Sequence, residues 1–436
     1  MFSRGRARGE EGDITAHFPK NFLWGAASAS YQIEGGVNEG GRGESVWDVF
    51  SHTPGAVRNG DNGDIAADSY HRWPEDLQLV KDLGLGAYRF SIAWPRIAPR
   101  GDTSWNKAGF DYYDAVVDAL LEAGIQPWVT LYHWDLPQVL EEAGGWRSEE
   151  TVRAYAAYAA EVGEHFKGRV RRWFTFNEPQ CFIVLGCGTG EHAPGLRLDD
   201  GALALCWQNF RRAHTLAWEA LHRIDGDNRV GPTSTGRVCY PASHRPEDRQ
   251  AAREMTFACP QGARSFSHTP ALDALADKLD FIGLNIYHGV PVRMGDGGPE
   301  AVPFPAGCPR TAMDWPVTPL SLEWGPRLIH ERYGRPIYIT ENGLSCRDWV
   351  SLDGRVHDPG RIDFLTRYLR ALSDAIAAGA DVRGYFHWSL TDNFEWAEGY
   401  GQRFGLAYVD YASGTRTMKD SALWYRDAVR SNGESV

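Results

Sequence analysis

Pro336-Ile337-Tyr338-Ile339-Thr340-Glu341-Asn342-Gly343 is a short apolar, β-rich run that ends on one carboxylate and a turn pair. Asn-Gly stops a strand at that point, because both residues tolerate positive φ. Glu341 is therefore expected at the strand's C-terminal tip, and strict alternation puts it on the face of Ile337 and Ile339. Trp173-Phe174-Thr175-Phe176-Asn177-Glu178-Pro179 has the same design. There Glu178 shares parity with Phe174 and Phe176, and Pro179 ends the strand by removing its N–H. Two buried-type strands thus each carry one glutamate to a tip, 341 − 178 = 163 residues apart. A fold that brings the tips together makes a paired-carboxylate site.

Outward from these two strands, strand-like and helix-like stretches alternate. Strands are expected over 21–28, 87–92, 126–132, 171–177, 229–234, 279–287, 336–341 and 382–389. Helices are expected over 71–83, 107–123, 148–167, 205–223, 320–333, 362–378 and 420–429, with one less defined between 247 and 278. In the helix over 107–123, Phe110, Tyr113, Val117, Leu120 and Leu121 keep helical spacing. Eight βα units in a row imply a parallel sheet, and eight strands close into an α/β fold of the (β/α)8 TIM-barrel type. A doubly wound open sheet would want a Gly-rich phosphate turn after the first strand. The glycines at 35, 36, 40, 41 and 43 lack that spacing, with Val46 where the third would stand. Residues 18–430 read as one barrel domain behind a flexible lead-in over 1–17. The long loops after strands one, six and eight open onto the C-terminal face, where barrel active sites are built.

The 436 residues carry a net charge of −12, which argues against nucleic acid and anionic membrane as partners. No run of eighteen apolar residues is present to span a membrane, and no apolar segment follows the arginines near the N-terminus. Seven cysteines, an odd number without a CxxC pair, fit reduced thiols in a cytoplasmic protein better than a disulfide framework or a zinc site. Seventeen tryptophans are heavy use of a residue whose indole face stacks on sugar C–H faces, which weights the reading toward a carbohydrate ligand.

Six segments then carry a resemblance: FLWGAASASYQIEG (22–35), YRFSIAWPRI (88–97), LYHWDLP (131–137), TFNEP (175–179), ITENG (339–343) and DNFEWA (392–397). In this order and over nearly the whole chain they resemble glycoside hydrolase family 1. The resemblance implies a retaining β-glycosidase, in the first place a β-glucosidase, that needs no cofactor and no metal. It implies Glu341 as nucleophile and Glu178 as acid/base, the pair about 5–5.5 Å apart for direct attack rather than about 6.5–9.5 Å for inversion through water. Arg89, Asn177 and Tyr287 match supporting positions: Arg89 keeps the nucleophile charged, Tyr287 hydrogen-bonds it, and Asn177 grips the sugar 2-OH. Gln32, His133, Glu395 and Trp396 match the sugar-binding polar set, Trp388 the platform under the ring, and Trp315 the wall on the leaving-group side. Read alone, Asn177 is also a turn former, Tyr287 and Trp315 also core residues, and Arg89 also a rim ion-pair partner.

His133-x-Asp135 also matches the metal-binding pair of other barrel hydrolases, a rival that needs further ligands at other tips. His387 is a poor candidate, because it alternates with Trp388 and should face the helices. Glu395 implies an unphosphorylated sugar, and Glu178 rather than Gln implies O-glycosides. The implied partner is a small-molecule β-glycoside, with the oligomeric state open. Gln180 stands where the family commonly has tryptophan, and Cys187 replaces an aromatic residue. The stretch 235–278 is short for the family, from which a more open leaving-group site and a looser fifth helix are expected. A transglycosidase on the same site, or a non-catalytic sugar-binding protein on a retired glycosidase fold, are the alternative readings.

Overall fold

The computed structural model describes residues 16–436. Eight parallel strands close into a barrel: β1 (Leu23–Ala27), β2 (Ala87–Ser91), β3 (Gln126–Thr130), β4 (Arg172–Asn177), β5 (Arg229–Ser234), β6 (Ile282–Asn285), β7 (Ile337–Asn342) and β8 (Val382–Trp388). Each pairs with its neighbours in chain order, and β8 closes on β1 through Leu23 opposite Gly384 to Ala27 opposite Trp388. Helices α1 (Ser69–Asp82), α2 (Lys107–Glu122), α3 (Glu149–His165), α4 (Asp200–Ile224), α5 (Pro246–Phe257), α6 (Leu320–Tyr333), α7 (Pro359–Ala377) and α8 (Asp420–Arg430) follow the strands in turn. The result is the (β/α)8 barrel expected above. The lead-in assigned to 1–17 lies outside the described residues as far as 15; Ala16 is buried, and the His17 N–H donates to Ser373 Oγ of α7 at 2.8 Å.

Helix ends follow their local chemistry. Ser148 Oγ accepts from the Glu150 N–H at the start of α3, and Asp199 Oδ1 accepts from the Ala202 N–H at the start of α4. Gly124, Gly168 and Gly334 stop α2, α3 and α6 in the left-handed conformation. Along α2 the buried stripe is Phe110, Tyr113, Val116, Val117 and Leu120, while Leu121 is 39% exposed. Leu121 keeps the spacing only at the stripe's edge, and Val116 holds the inner position instead. The fifth helix is not loose: α5 runs regularly for 12 residues with Ala251 and Ala252 fully buried. Those two small side chains let it lie close on an unanticipated three-stranded sheet of Cys239–Pro241, Val290–Gly295 and Gly298–Ala301.

Two apolar layers hold the barrel. One lies between strands and helices; the other fills the barrel's lower interior with Ala87, Trp128, Phe174, Phe281 and Phe386. Trp128 touches Phe174, Phe281, Tyr338 and Phe386, so truncating it to alanine is expected to cost about 3–5 kcal/mol. Above this plug the inward side chains turn polar, beginning with Arg89. No helix among the described residues is long and apolar enough to cross a membrane.

Candidate active site

Both glutamates reach the barrel's upper interior, but not by simple alternation. Ile337 and Ile339 of β7 face the helices, and Tyr338 points inward against Trp128. Unbroken alternation would therefore send Glu341 outward. A register shift between Ile339 and Glu341 intervenes, and both Thr340 and Glu341 turn inward. In β4, Phe174 is inside the barrel, whereas Phe176 packs among Tyr155, Phe182 and Phe210 on the helix side. A shift between Phe174 and Asn177 again resets the face, so that Asn177 and Glu178 both point inward. The shared-face expectation was thus wrong for Glu341, and for Glu178 it holds with Phe174 but fails with Phe176; each strand tip bulges, and the bulge aims the carboxylate.

One network ties the tips together. Arg89, 0% exposed, donates from Nη1 to Glu341 Oε1 at 2.7 Å and from Nη2 to Asn177 Oδ1 at 2.6 Å. Tyr287 donates its hydroxyl to Glu341 Oε2 at 2.8 Å. Asn285, opposite Glu341 in the β6–β7 register, donates from Nδ2 to Glu178 Oε1 at 2.7 Å and to Asn177 Oδ1 at 3.2 Å. Thr340 Oγ1 donates to Asn285 Oδ1 at 2.7 Å and so fixes which end of that amide faces the glutamates. The Cys181 thiol donates to Glu178 Oε2 at 3.1 Å. Glu178 sits at φ 45°, a left-handed conformation that a glutamate adopts at a cost, held by its N–H on Thr233 O.

The two carboxyls have different surroundings. Burial, and then the Glu341 charge, push Glu178 up to about 7 against the opposing pull of Asn285, Cys181 and Arg89. Burial raises Glu341 as well, but the Arg89 guanidinium, in charge and hydrogen bond, and the Tyr287 hydroxyl oppose it. With a direct guanidinium partner on one carboxyl only, the proton settles on Glu178 and the charge on Glu341. The pair can supply an acid and a charged oxygen nucleophile across one gap.

Around them lies a cavity of about 1180 Å³, above the usual range for small-molecule sites. His133, Asn177, Tyr287, Trp315, Trp388, Glu395 and Trp396 line it together with both glutamates. Burial and the Arg89 charge hold His133 well below its usual range, so its ring is neutral and accepts at Nε2 from Asn177 Nδ2 at 3.0 Å. Gln32 bonds the turn that carries Glu395, donating to Phe394 O at 3.0 Å and to Glu395 Oε2 at 3.3 Å. Burial and the charges of Glu341 and Glu178 push Glu395 up to about 8. His133 lies between Trp388 and Trp396, with near-parallel rings at 6.0 and 5.9 Å. Trp315 packs on Tyr287 at 5.2 Å. The wall beside the short segment is formed by Thr235–Val238 and by Ala258, Gln261 and Phe266.

All eleven residues singled out from sequence thus meet at one mouth of the barrel. His387 turns toward Tyr425 of α8, as its parity requires. Asp135 accepts from Ser30 Oγ at 2.8 Å instead of joining His133, and no cluster of three or more metal-type ligands occurs among the described residues. Two contacts escaped the sequence reading. Asn285 is two positions before Tyr287, so strand parity could have flagged it. Cys181 lies on a π-type helix (Cys181–Thr189) that begins directly below Glu178, and no pattern in the chain announces that turn.

Comparison with known proteins adds an independent finding. The model of the family described as glycosyl hydrolase family 1 matches residues 14–269 and 260–434. Beta-glucosidase A of Thermotoga maritima is 43% identical over 439 residues, covering 95% of this chain and 98% of its own. A bifunctional beta-D-glucosidase/beta-D-fucosidase of Bifidobacterium breve is 42% identical over 456 residues, covering 95% and 98%. A Thermotoga maritima beta-glucosidase solved in complex with glucoimidazole superposes with a TM-score of 0.86 at 42% identity, covering 96% of this chain and all of that one.

Proposed function

This chain belongs to glycosyl hydrolase family 1, and on that premise we propose that it is a retaining β-glucosidase acting on terminal β-D-glucosyl residues of oligosaccharides or of aryl and alkyl glucosides. A Glu341 oxygen bonds to the anomeric carbon as the bond to the leaving oxygen breaks, and the Glu178 proton passes to that oxygen. Glu178, now charged, takes a proton from water, which attacks the same carbon and frees Glu341. Arg89 and Tyr287 keep Glu341 charged and aimed, and Asn177 holds the sugar 2-OH, a contact that tightens in the transition state. Gln32, His133, Glu395 and Trp396 bind the sugar's other hydroxyls, Trp388 stacks under its ring, and Trp315 flanks the leaving group. The B. breve relative's name supports β-fucoside as a second substrate. All seven cysteines are unbridged thiols, which supports a reducing compartment, the cytoplasm.

The observation that carries the assignment is the unequal surroundings of the two carboxyls. Arg89 and Tyr287 bond Glu341 directly, while Glu178 has only the Asn285 amide and the Cys181 thiol and is pushed up to about 7 by burial and the Glu341 charge. The test is Glu341→Gly. The variant should lose hydrolysis of an aryl β-glucoside and regain part of it with azide, giving the α-configured glucosyl azide. Undiminished hydrolysis, or β-azide as the product, removes Glu341 from the role.

A further inference from the structure

Glu178 must alternate between acid and base within each turnover, so a fixed donor on the oxygen that carries its proton would oppose one half of the cycle. Its two oxygens are not equivalent. Oε1 accepts from the Asn285 amide, whose orientation is locked because Thr340 Oγ1 bonds the other end of that side chain. An NH2 group cannot turn into an acceptor, so Oε1 stays the carbonyl-type oxygen throughout. Oε2 accepts from Cys181 Sγ at 3.1 Å, and a thiol is a weak donor that can rotate to become a weak acceptor.

We propose that Cys181 is a positioning residue of Glu178: a thiol rotor that donates to Oε2 while the carboxylate is charged and withdraws its hydrogen when Oε2 is protonated. This rests on the reading of Glu178 as acid/base and goes beyond it, because it assigns the travelling proton to one oxygen and names the group that accommodates both states. Cys181 is buried, packs with the strand-to-helix core layer and lies on the cavity wall, with its thiol directed at Glu178. The charged and titratable groups that face Glu178 are Glu341 from β7, Arg89 from β2, His133 after β3 through Asn177, Tyr287 after β6 and Glu395 after β8. Cys181 donates to the carboxylate alone and therefore favours its charged form, the same sense as Asn285 and Arg89.

The experiment compares the pH profiles of kcat/KM for the unaltered chain, Cys181→Ala, Cys181→Val and Cys181→Ser on a poor-leaving-group β-glucoside. Valine fills the site, with one methyl more than cysteine, and has no donor, so the comparison survives if the alanine variant does not fold. Loss of the donor raises the pKa of Glu178, so the alkaline limb in the alanine and valine variants should move up by about half a unit, the scale of one weak hydrogen bond. Serine, a stronger donor, should leave the limb in place or lower it. Superposed limbs in all four proteins, or a downward move without the thiol, overturn the proposal. Glu178→Ala run alongside separates the two failures: an alkaline limb that persists there shows that the limb does not report Glu178, and the acid/base reading falls with the rotor.

Discussion

Replacing Arg89 by methionine removes the one full charge bonded directly to Glu341. The native guanidinium makes hydrogen bonds of 2.7 Å to Glu341 and 2.6 Å to Asn177 with no solvent exposure. An opposite charge at that distance lowers a carboxyl pKa by about 1–3 units. Its loss should raise Glu341 by that amount, and the sign is fixed because Glu341 attacks only when charged. The acid limb of kcat/KM therefore moves upward by about 1–3 units, while the alkaline limb set by Glu178, which Arg89 holds down only by charge and more weakly, rises less, so the bell narrows or collapses. At the optimum, loss of the charge-assisted hydrogen bond to Glu341, worth about 1.5–3 kcal/mol, should cost about 10- to 100-fold. Arg89→Lys should fall between, since an ammonium keeps the charge but cannot bridge Glu341 and Asn177 as a fork does. Profiles from about pH 4 to 9 on an aryl β-glucoside, with thermal unfolding as a control for folding, measure both effects. An acid limb within about 0.3 unit of the native one and a rate within threefold would refute the reasoning.

Further outcomes follow from the same geometry. Glu178→Ala should lower hydrolysis of substrates with poor leaving groups by about 10²–10⁴-fold while sparing the first step on activated aryl glucosides, because only the former need a proton; equal losses on both classes contradict the assignment. In the unaltered chain the alkaline limb of kcat/KM should lie at about 7, where Glu178 loses its proton, and a limb above 9 contradicts that. Lys419, fully buried between Asp348 at 2.6 Å and Asp392 at 2.7 Å, anchors the start of the loop that carries Glu395 and Trp396. Lys419→Met should cost about 3 kcal/mol, the low end for a broken buried pair because Arg361 and Arg403 still hold the two aspartates. A melting temperature lowered by several degrees and a raised KM are expected; an unchanged melting temperature counts against the buried cluster.

The strand order and the eight-fold closure were legible because buried parallel strands read as apolar runs bounded by turn residues. The ends of β5 and α6 coincide with those read from the chain. The direction of the catalytic side chains was not legible. Alternation assumes an unbroken pleat, and at Thr340–Glu341 and Asn177–Glu178 two successive residues face inward. Such a bulge depends on what the neighbouring strands offer, here Asn285 and Arg89, which lie far away in the chain. The strands Cys239–Pro241 and Gly298–Ala301 were missed for a different reason: they are short and carry proline or glycine, so nothing local separates them from loop. The family's motifs supplied the site residues where periodicity could not. They did not supply the Cys181 contact, which depends on a helical turn following Pro179.

The most direct test of the central claim is to treat the enzyme with a 2-deoxy-2-fluoro-β-glucoside carrying an activated leaving group, digest it, and locate the added sugar by mass spectrometry. Slowed release should leave the fluoroglucosyl group bonded to the peptide that contains Glu341, with one leaving group freed per chain. Attachment at another residue, or turnover to α-configured sugar with no trapped species, would contradict direct attack by that carboxylate.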